Sequence, residues 1–284
     1  MEKNKGRRIL ITGAGGFIGS ALLKELSDLS PVAVYHNTKP SMGYHSLKSV
    51  DLRDEQALRV LMMELKPEIV YHFAALASPK RNEEDPQLAR ETHLKVTENL
   101  VNNLPEGSHI VFTSTDKVFD GSDPNPDENS KPHPKWLYGR LKVECENLIR
   151  SRVPRHHIVR LPIVHALGEE WVFKTGSAGG SFIDKGMADL RLGKKVEAFN
   201  NVERGYVRIS RLVDLFKVML EDEHYGLYHV SSPMMSYYER MKQLCTHCGI
   251  AWQDLLVPSL GTAIPMTQNL NTVKLSSTFK IVFD

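Results

Sequence analysis

The stretch that decides the fold is RRILITGAGGFIG, residues 7–19 of a 284-residue chain. Its first half is an apolar run typical of a buried strand, and glycines spaced as TGxxGxxG follow it directly, before a helical pattern. Glycines at such a turn let the backbone approach a ligand, and the exposed N–H groups of the helix favour a phosphate. We therefore predict a dinucleotide-binding loop, with the cofactor held by Gly13, Gly16, Phe17, Ile18 and Gly19.

Strand and helix patterns alternate through the first half of the chain. Apolar runs at residues 32–35, 68–75 and 109–112 predict strands, and apolar residues at helical spacing predict a helix at residues 55–65. A further helix should begin where Asp85 can cap it and Pro86 supplies the fixed φ of a first turn. The fold class is therefore α/β, a Rossmann-type doubly wound parallel sheet.

The pattern changes in the second half of the chain. We predict an NAD(P)-binding Rossmann domain over residues 1–165 and a smaller, mainly substrate-binding lobe over residues 166–284. Some elements of that lobe, at about residues 203–232, should return to the Rossmann sheet.

Composition excludes several classes of protein. With 41% hydrophobic and 25% charged residues and a net charge of +2, nucleic acid is not an expected partner. No apolar run is long enough to span a membrane, and the N-terminus lacks the apolar stretch of a signal peptide. Cys145, Cys245 and Cys248 form no disulfide framework, which favours the cytoplasm. The C-x-x-C pair has no second ligand pair, so no metal is expected.

The spacing Tyr-x-x-x-Lys occurs four times, and context chooses among the copies. Only Tyr138 and Lys142 lie on a predicted helix that follows a strand ending in Ser114-Thr115, within the sheet-forming half. An ammonium near a phenol favours the phenolate and lowers a pKa that is ordinarily about 10. Thr115 can hydrogen-bond a substrate oxygen, and a dinucleotide supplies the hydride that no side chain can. Thr115, Tyr138 and Lys142 are therefore the predicted catalytic residues.

The second strand ends without the carboxylate that NAD-binding proteins commonly place there. The residues are His36, Asn37, Thr38 and Lys39, which should lie at the adenosine end of the cofactor. A carboxylate would repel the extra phosphate of NADP, so NADP(H) is the preferred cofactor and NAD(H) the alternative. Asp51 and Leu52 should end a short third strand nearby.

Several motifs together resemble one family. TGAGGFIG, HFAA at residues 72–75, STDKVFDG at residues 114–121 and YGRLK at residues 138–142 are similar to the extended short-chain dehydrogenase/reductase family. STD-x-VFDG followed by YG-x-x-K resembles in particular its branch of dTDP-4-dehydrorhamnose reductases, which act in dTDP-L-rhamnose synthesis. The resemblance extends over nearly the whole chain.

The resemblance implies further site residues. Asp51 and Leu52 would bind the adenine end, Ala74 and Ala75 would line the cofactor, and the segment Leu161–Ile163 would lie near the nicotinamide. Candidates for the substrate side, from their position near the loops, are Ser114, Thr115, Lys135, Trp136 and Arg204.

The implied function is an NADP(H)-preferring reductase of a nucleotide-linked 4-keto-6-deoxy sugar, with a homodimer left open. Sugar-nucleotide dehydratases of the family show Thr-Asp-Glu where this chain has Thr115-Asp116-Lys117, so elimination of water is disfavoured. Where the wider family often has Asn, this chain has His93. Two alternatives remain: another epimerase or ketoreductase of the family, and a non-catalytic regulatory subunit like the β subunit of methionine adenosyltransferase.

Overall fold

The central element is a seven-stranded sheet. The computed structural model describes residues 6–40, 46–166, 181–261 and 268–283. Strand order is β3-β2-β1-β4-β5-β6-β11, and every pairing within this sheet is parallel. Its strands are β1 Ile9–Thr12, β2 Val32–Tyr35, β3 Leu47–Ser49, β4 Ile69–His72, β5 His109–Thr115, β6 His156–Leu161 and β11 Gly226–His229.

Helices cover both faces of this sheet, which confirms the predicted doubly wound α/β fold. A π-helical turn, Glu91–Lys95, joins the fourth helix to the fifth. The helices in the described part of the chain are α1 Phe17–Glu25, α2 Glu55–Leu65, α3 Pro79–Glu84, α4 Pro86–Arg90, α5 Val96–Asn103, α6 Leu137–Arg152, α7 Phe182–Arg191, α8 Ile209–Met219, α9 Tyr237–His247 and α10 Val273–Phe279.

Local hydrogen bonds explain where these elements begin and end. The Asp85 carboxylate accepts from the Leu88 N–H and Pro86 occupies the first turn of α4, as predicted. The third strand is shorter than predicted and ends at Ser49. Asp51 cannot extend it because its carboxylate accepts from the Arg53 N–H, which folds the chain into an Asx turn before α2.

The core has one layer on each side of the sheet, because strand side chains alternate between the two faces. Ile9 and Ile11 of β1 pack with Leu22 of α1 and Phe216 of α8. Leu10, between them, packs with Leu58 of α2 and with α5 and α6 on the opposite side. The result is a rigid platform whose strand ends present loops along a single edge.

The C-terminal part forms a separate apolar cluster in which Ile183 and Met187 of α7 meet Met241 and Leu244 of α9. Cys245 is buried in the same cluster. Three short two-stranded sheets surround it. They pair β7 Ile163–His165 with β10 Tyr206–Arg208, β9 Glu203–Arg204 with β12 Met235–Ser236, and β8 Val196–Phe199 with β13 Leu256–Ser259.

Candidate active site

The glycine loop is held by close packing against neighbouring backbone. Gly13 has φ +65°, and a Cβ there would lie 2.6 Å from the Ala74 nitrogen. A Cβ on Gly15 would lie 1.7 Å from the Thr38 carbonyl oxygen, and one on Gly19 would lie 2.2 Å from the oxygen of Gly13. These glycines therefore bring the ends of β1, β2 and β4 together around one crevice.

The beginning of α1 suits a phosphate. Gly16 is its N-cap and supplies no side-chain hydrogen bond, and the first turn contains no acidic residue. The positive end of the helix dipole is thus left uncompensated by the protein, and its free N–H groups face the loop. Such a helix N-terminus fits the pyrophosphate of a dinucleotide.

A cavity of about 340 Å³ lies beside this loop, where the strand order reverses between β1 and β4. Open α/β sheets bind their ligands at this point. Eight of the predicted cofactor residues line the cavity: Gly13, Gly16, His36, Asn37, Asp51, Leu52, Ala74 and Ala75. The sequence reading missed other lining residues, which include Arg53, Arg81 and Thr92.

Arg53 changes the charge of the adenosine end. Its guanidinium forms two-point contact with the Asp51 carboxylate, with Nε–Oδ1 at 3.0 Å and Nη2–Oδ2 at 2.7 Å. These hydrogen bonds lower the pKa of Asp51 and raise that of Arg53. His36 Nε2 lies 3.8 Å from the same carboxylate. The negative charge of Asp51 is therefore balanced by the positive charge of Arg53, and Arg81 adds positive charge to the cavity lining.

Other predicted cofactor residues lie outside that cavity lining. Lys39 is exposed, whereas Phe17 and Ile18 are partly buried against the core. Leu161 is buried at the end of β6, and Ile163 of β7 packs against the C-terminal cluster. Gly19 packs the start of α1 closely against the loop. Lys39 misses the lining because β2 ends at Tyr35 and the chain has turned away four residues later.

The three predicted catalytic residues are brought together at the end of β5. Thr115 is its last residue, and its hydroxyl lies close enough to Tyr138 to lower the pKa of the phenol. Lys142, one turn after Tyr138 on α6, is 3% exposed and its Nζ lies 6.0 Å from the centre of the phenol ring. The lysine donates to the Thr113 carbonyl at 2.8 Å, which fixes it against β5.

The pKa of Tyr138 departs from the predicted direction. Burial raises it above the ordinary value, and the negative charge of Asp116 raises it further, against a smaller lowering by the Thr115 hydroxyl. Burial also lowers the pKa of Lys142 to about 8. The Lys142 ammonium donates to the Thr113 carbonyl. In this state the phenol carries its proton at neutral pH.

Arg204 reaches this site from the C-terminal lobe. Its Nη1 lies 3.2 Å from Asp116 Oδ2 and 3.0 Å from Gln268 Oε1, and the pair is largely buried. Asp116 directly follows Thr115, whose hydroxyl donates to the other carboxylate oxygen at 3.2 Å. The cation predicted for the substrate side therefore joins the lobe to the catalytic strand.

Ser114 is a correction to the predicted substrate residues. Its hydroxyl donates to the Glu146 carboxylate of α6, and the residue is buried. Because successive strand residues point to opposite faces, Ser114 is turned away from the side that Thr115 faces. Trp136 is 40% exposed at the start of α6, and Lys135 beside it is also exposed.

Comparison with known proteins gives the family. A family model described as the RmlD substrate binding domain matches residues 7–267. The chain belongs to this family. It is also part of the wider extended short-chain dehydrogenase/reductase fold, since the sheet order and the paired Tyr138 and Lys142 fit that architecture.

Two curated relatives differ in what they do. Methionine adenosyltransferase 2 subunit beta of Xenopus tropicalis is 32% identical over 164 residues, 56% of this chain and 48% of the relative. The match thus spans about half the length of that protein. The probable low-salt glycan biosynthesis reductase Agl14 of Haloferax volcanii is 30% identical over 200 residues, 64% of this chain and 66% of the relative.

Solved structures share the fold over almost the entire chain. dTDP-4-dehydrorhamnose reductase from Bacillus anthracis, in complex with NADP, superimposes with a TM-score of 0.80 at 20% identity and covers 98% of this chain and 93% of that one. UDP-glucose 4-epimerase from Thermotoga maritima, with UDP-glucose, gives 0.81 at 18% identity, covering 98% and 94%. The fold is therefore that of sugar-nucleotide reductases and epimerases.

No helix in the described ranges is long and apolar enough to cross a membrane. Nor do those ranges contain a group of three or more histidine, cysteine, aspartate or glutamate side chains that could hold a metal ion.

Proposed function

We propose that this protein is an NADP(H)-preferring reductase of a nucleotide-linked 4-keto-6-deoxy sugar. The observation that carries the proposal is the grouping of Thr115, Tyr138 and the buried Lys142 at the same sheet edge as the cavity beside the glycine loop. The family and the reductases among its relatives support this reading.

The state of Tyr138 suits reduction. A ketone that accepts a hydride also needs a proton on its oxygen, and the protonated phenol of Tyr138 can supply it. Thr115, beside Tyr138, would orient the same oxygen. Lys142 would place a positive charge where negative charge develops. A bound nicotinamide dinucleotide would supply the hydride.

NADP(H) preference is supported by the charges at the adenosine end. His36, Asn37, Arg53 and Arg81 line the cavity, and the carboxylate of Asp51 is paired with Arg53. A second phosphate would therefore meet arginine and histidine rather than a free carboxylate. NAD(H) lacks this phosphate, so it would not make these contacts and should bind more weakly.

Reduction is favoured over elimination because Lys117 stands where sugar-nucleotide dehydratases of the family have glutamate. Asp116 is paired with Arg204 and accepts from Thr115, and Lys117 follows it. We place the sugar nucleotide between the catalytic strand and the lobe formed mainly by residues 166–284.

A second candidate is a regulatory subunit without catalysis, favoured by the similarity to methionine adenosyltransferase 2 subunit beta. Such a subunit should bind the dinucleotide and alter the activity of a methionine adenosyltransferase. An intact set of Thr115, Tyr138 and Lys142 is not needed for that role.

The test is nicotinamide absorbance with NADPH and NADH in turn, across a panel of nucleotide-linked keto sugars. The proposal expects substrate-dependent oxidation of NADPH, faster than that of NADH, with at least one 4-keto-6-deoxy sugar. Cofactor binding without oxidation on any sugar, combined with a changed activity of added methionine adenosyltransferase, would instead establish the regulatory role.

A further inference from the structure

Asp116 is buried directly after the catalytic strand, where three separate parts of the chain meet. Its carboxylate Oδ2 accepts from Arg204 Nη1 of β9 at 3.2 Å, and the same Nη1 donates to Gln268 Oε1 at 3.0 Å. The amide of Gln268 in turn donates to the main-chain carbonyls of Asp116 and Phe119. The end of β5, the C-terminal lobe and residue 268 are therefore joined in one buried network.

The other carboxylate oxygen of Asp116 accepts the proton of the Thr115 hydroxyl. Thr115 Oγ1 lies 3.2 Å from Asp116 Oδ1, and it accepts from the Lys117 N–H at 3.2 Å. A hydroxyl has one proton and two lone pairs, so these two bonds leave one lone pair of Oγ1 uncommitted. Because Thr115 lies close enough to Tyr138 to lower the pKa of the phenol, the direction of this hydroxyl matters at the catalytic site.

The negative charge of Asp116 needs a compensating charge at this position. The carboxylate is close enough to Tyr138 to raise the pKa of the phenol. In a reduction, negative charge develops on the substrate oxygen beside this phenol, and an uncompensated carboxylate nearby would oppose it. Arg204 supplies the compensating positive charge at 3.2 Å. Its guanidinium therefore serves a carboxylate of the protein itself.

We propose that Asp116 is a positioning residue: Arg204 and Gln268 hold its carboxylate, and the carboxylate fixes the Thr115 hydroxyl beside Tyr138. The inference rests on the proposed function for the reaction that Thr115 serves. In this arrangement Arg204 acts through Asp116, and it does not bind the sugar nucleotide, the role expected from its position in the sequence. The lobe thus contributes to catalysis by orienting a group on the catalytic strand.

Steady-state kinetics of single and double variants separate the two roles of Arg204. Positioning predicts that Arg204→Met lowers kcat about three- to tenfold, at an almost unchanged KM for the sugar nucleotide, because Asp116 is left uncompensated. Adding Asp116→Asn removes that charge and should restore most of the lost kcat. Direct contact of Arg204 with the substrate predicts instead a raised KM that Asp116→Asn does not restore, and this result would overturn the proposal.

The double variant also covers a failure of Arg204→Met to fold. Removing one partner of a buried ion pair is strongly destabilising, whereas replacing both partners by uncharged side chains is tolerated. The KM of Asp116→Asn/Arg204→Met then decides: an unchanged value supports positioning, and a raised value contradicts it. Arg211→Met is the matched control, because Arg211 forms an exposed pair with Asp214 on α8, at 3.7 Å, and its loss should change neither kcat nor KM.

Methyl NMR of Thr115 provides a readout that does not require turnover. Three-bond couplings of its γ-methyl carbon to the backbone report the χ1 angle, and the resonance is assigned by its loss in Thr115→Ser. We expect a single rotamer in the wild type and in Asp116→Asn, which keeps an acceptor oxygen. Asp116→Ala should show a different rotamer or averaging over rotamers. An unchanged single rotamer in Asp116→Ala would refute the positioning role.

These outcomes distinguish the inference from the proposed function. If the protein bound NADPH but reduced no sugar, the reductase proposal would fail, and the rotamer of Thr115 would still decide whether Asp116 fixes the hydroxyl. If an active reductase kept its Thr115 rotamer in Asp116→Ala, only the inference about Asp116 would fail.

Discussion

At the scale of single residues, the ionisation of Lys142 should shape the pH dependence of activity. Burial lowers its pKa to about 8, so the ammonium is present below pH 8 and is lost as pH rises through that value. Tyr138 does not titrate there because its pKa is raised. We expect kcat/KM to fall above about pH 8, measured as NADPH oxidation at low substrate concentration.

Lys142→Arg is the matched variant for this prediction. Its guanidinium stays protonated across the range, so the alkaline fall should move to higher pH even if the rate is lower. A fall near pH 8 that persists in Lys142→Arg would assign it to another group.

Sequence reasoning predicted that Thr115, Tyr138 and Lys142 lie together, but it did not predict their electrostatics. Spacing on a helix is enough to place Tyr138 and Lys142 on one face, because helix geometry is local. The pKa directions depend on burial and, for Tyr138, on the charge of Asp116, which arise only after β5 and α6 have packed. Arg53 was missed as a cavity residue for the same reason, although its position two residues after Asp51 indicates locally that the two side chains can pair.

At the scale of elements, substitutions at two glycines of the loop should affect stability and cofactor binding to different extents. A Cβ on Gly15 would collide with the Thr38 carbonyl, whereas one on Gly16 would meet only the Gly13 oxygen, at 3.1 Å. Gly15→Ala should therefore lower the free energy of unfolding by about 1–3 kcal/mol, the usual cost of overpacking. Gly16→Ala should cost less stability but weaken NADPH binding, because its Cβ stands at the N-terminus of α1.

Urea unfolding and NADPH titration of the two variants check this prediction. Equal losses of stability would show that the loop is not packed as described. Full NADPH affinity in Gly16→Ala would contradict the assignment of the α1 N-terminus to the pyrophosphate.

A buried ion pair fixes α6 to the sheet. Arg160 of β6 contacts both oxygens of Glu146, at 3.0 and 2.7 Å, and both residues are almost fully buried. Glu146→Gln would leave the Arg160 charge without its partner, so we expect a loss of about 3–5 kcal/mol in the free energy of unfolding. The measurement is urea unfolding, with an unchanged dependence of the unfolding free energy on urea concentration.

Glu144 on the same helix is the control for this prediction. It pairs at 3.6 Å with Arg90, and both side chains are more than a third exposed, so Glu144→Gln should change stability little. Similar losses for the two variants would mean that burial of the Glu146–Arg160 pair is not what makes it matter.

At the scale of the whole molecule, buried histidines should make the fold sensitive to mild acid. Burial lowers the pKa of His72, His93, His109, His165 and His229 to about 3 and that of His157 to about 4. In the unfolded chain these groups titrate near 6.5. Below that pH the unfolded state binds more protons, so stability is present above pH 6.5 and is lost progressively towards pH 3–4.

Each of these histidines can contribute up to about 1.4 kcal/mol per pH unit in that window. Urea unfolding in steps of about one pH unit, from about pH 7.5 to about pH 4.5, should show a falling midpoint below about pH 6.5. A midpoint independent of pH over this range would show that the imidazoles are not buried in neutral form.

The overall architecture could be predicted because it follows from patterns in the sequence. Alternating strands and helices, with a glycine loop after the first strand, predict the parallel sheet and the place of its crevice. The position of β11 beside β6 could not be predicted, because these two strands are distant in sequence. The π-helical turn at His93 was likewise not predicted, since it depends on the buried bonds of Thr97 and His72.

The most direct measurement is the rate of NADPH oxidation with a nucleotide-linked 4-keto-6-deoxy sugar for Tyr138→Phe and Tyr238→Phe. Tyr238 also precedes a lysine by four residues on a helix, but on α9 in the C-terminal lobe. The proposed function predicts that Tyr138→Phe loses most turnover while binding NADPH normally, and that Tyr238→Phe keeps both. Undiminished turnover in Tyr138→Phe would contradict it.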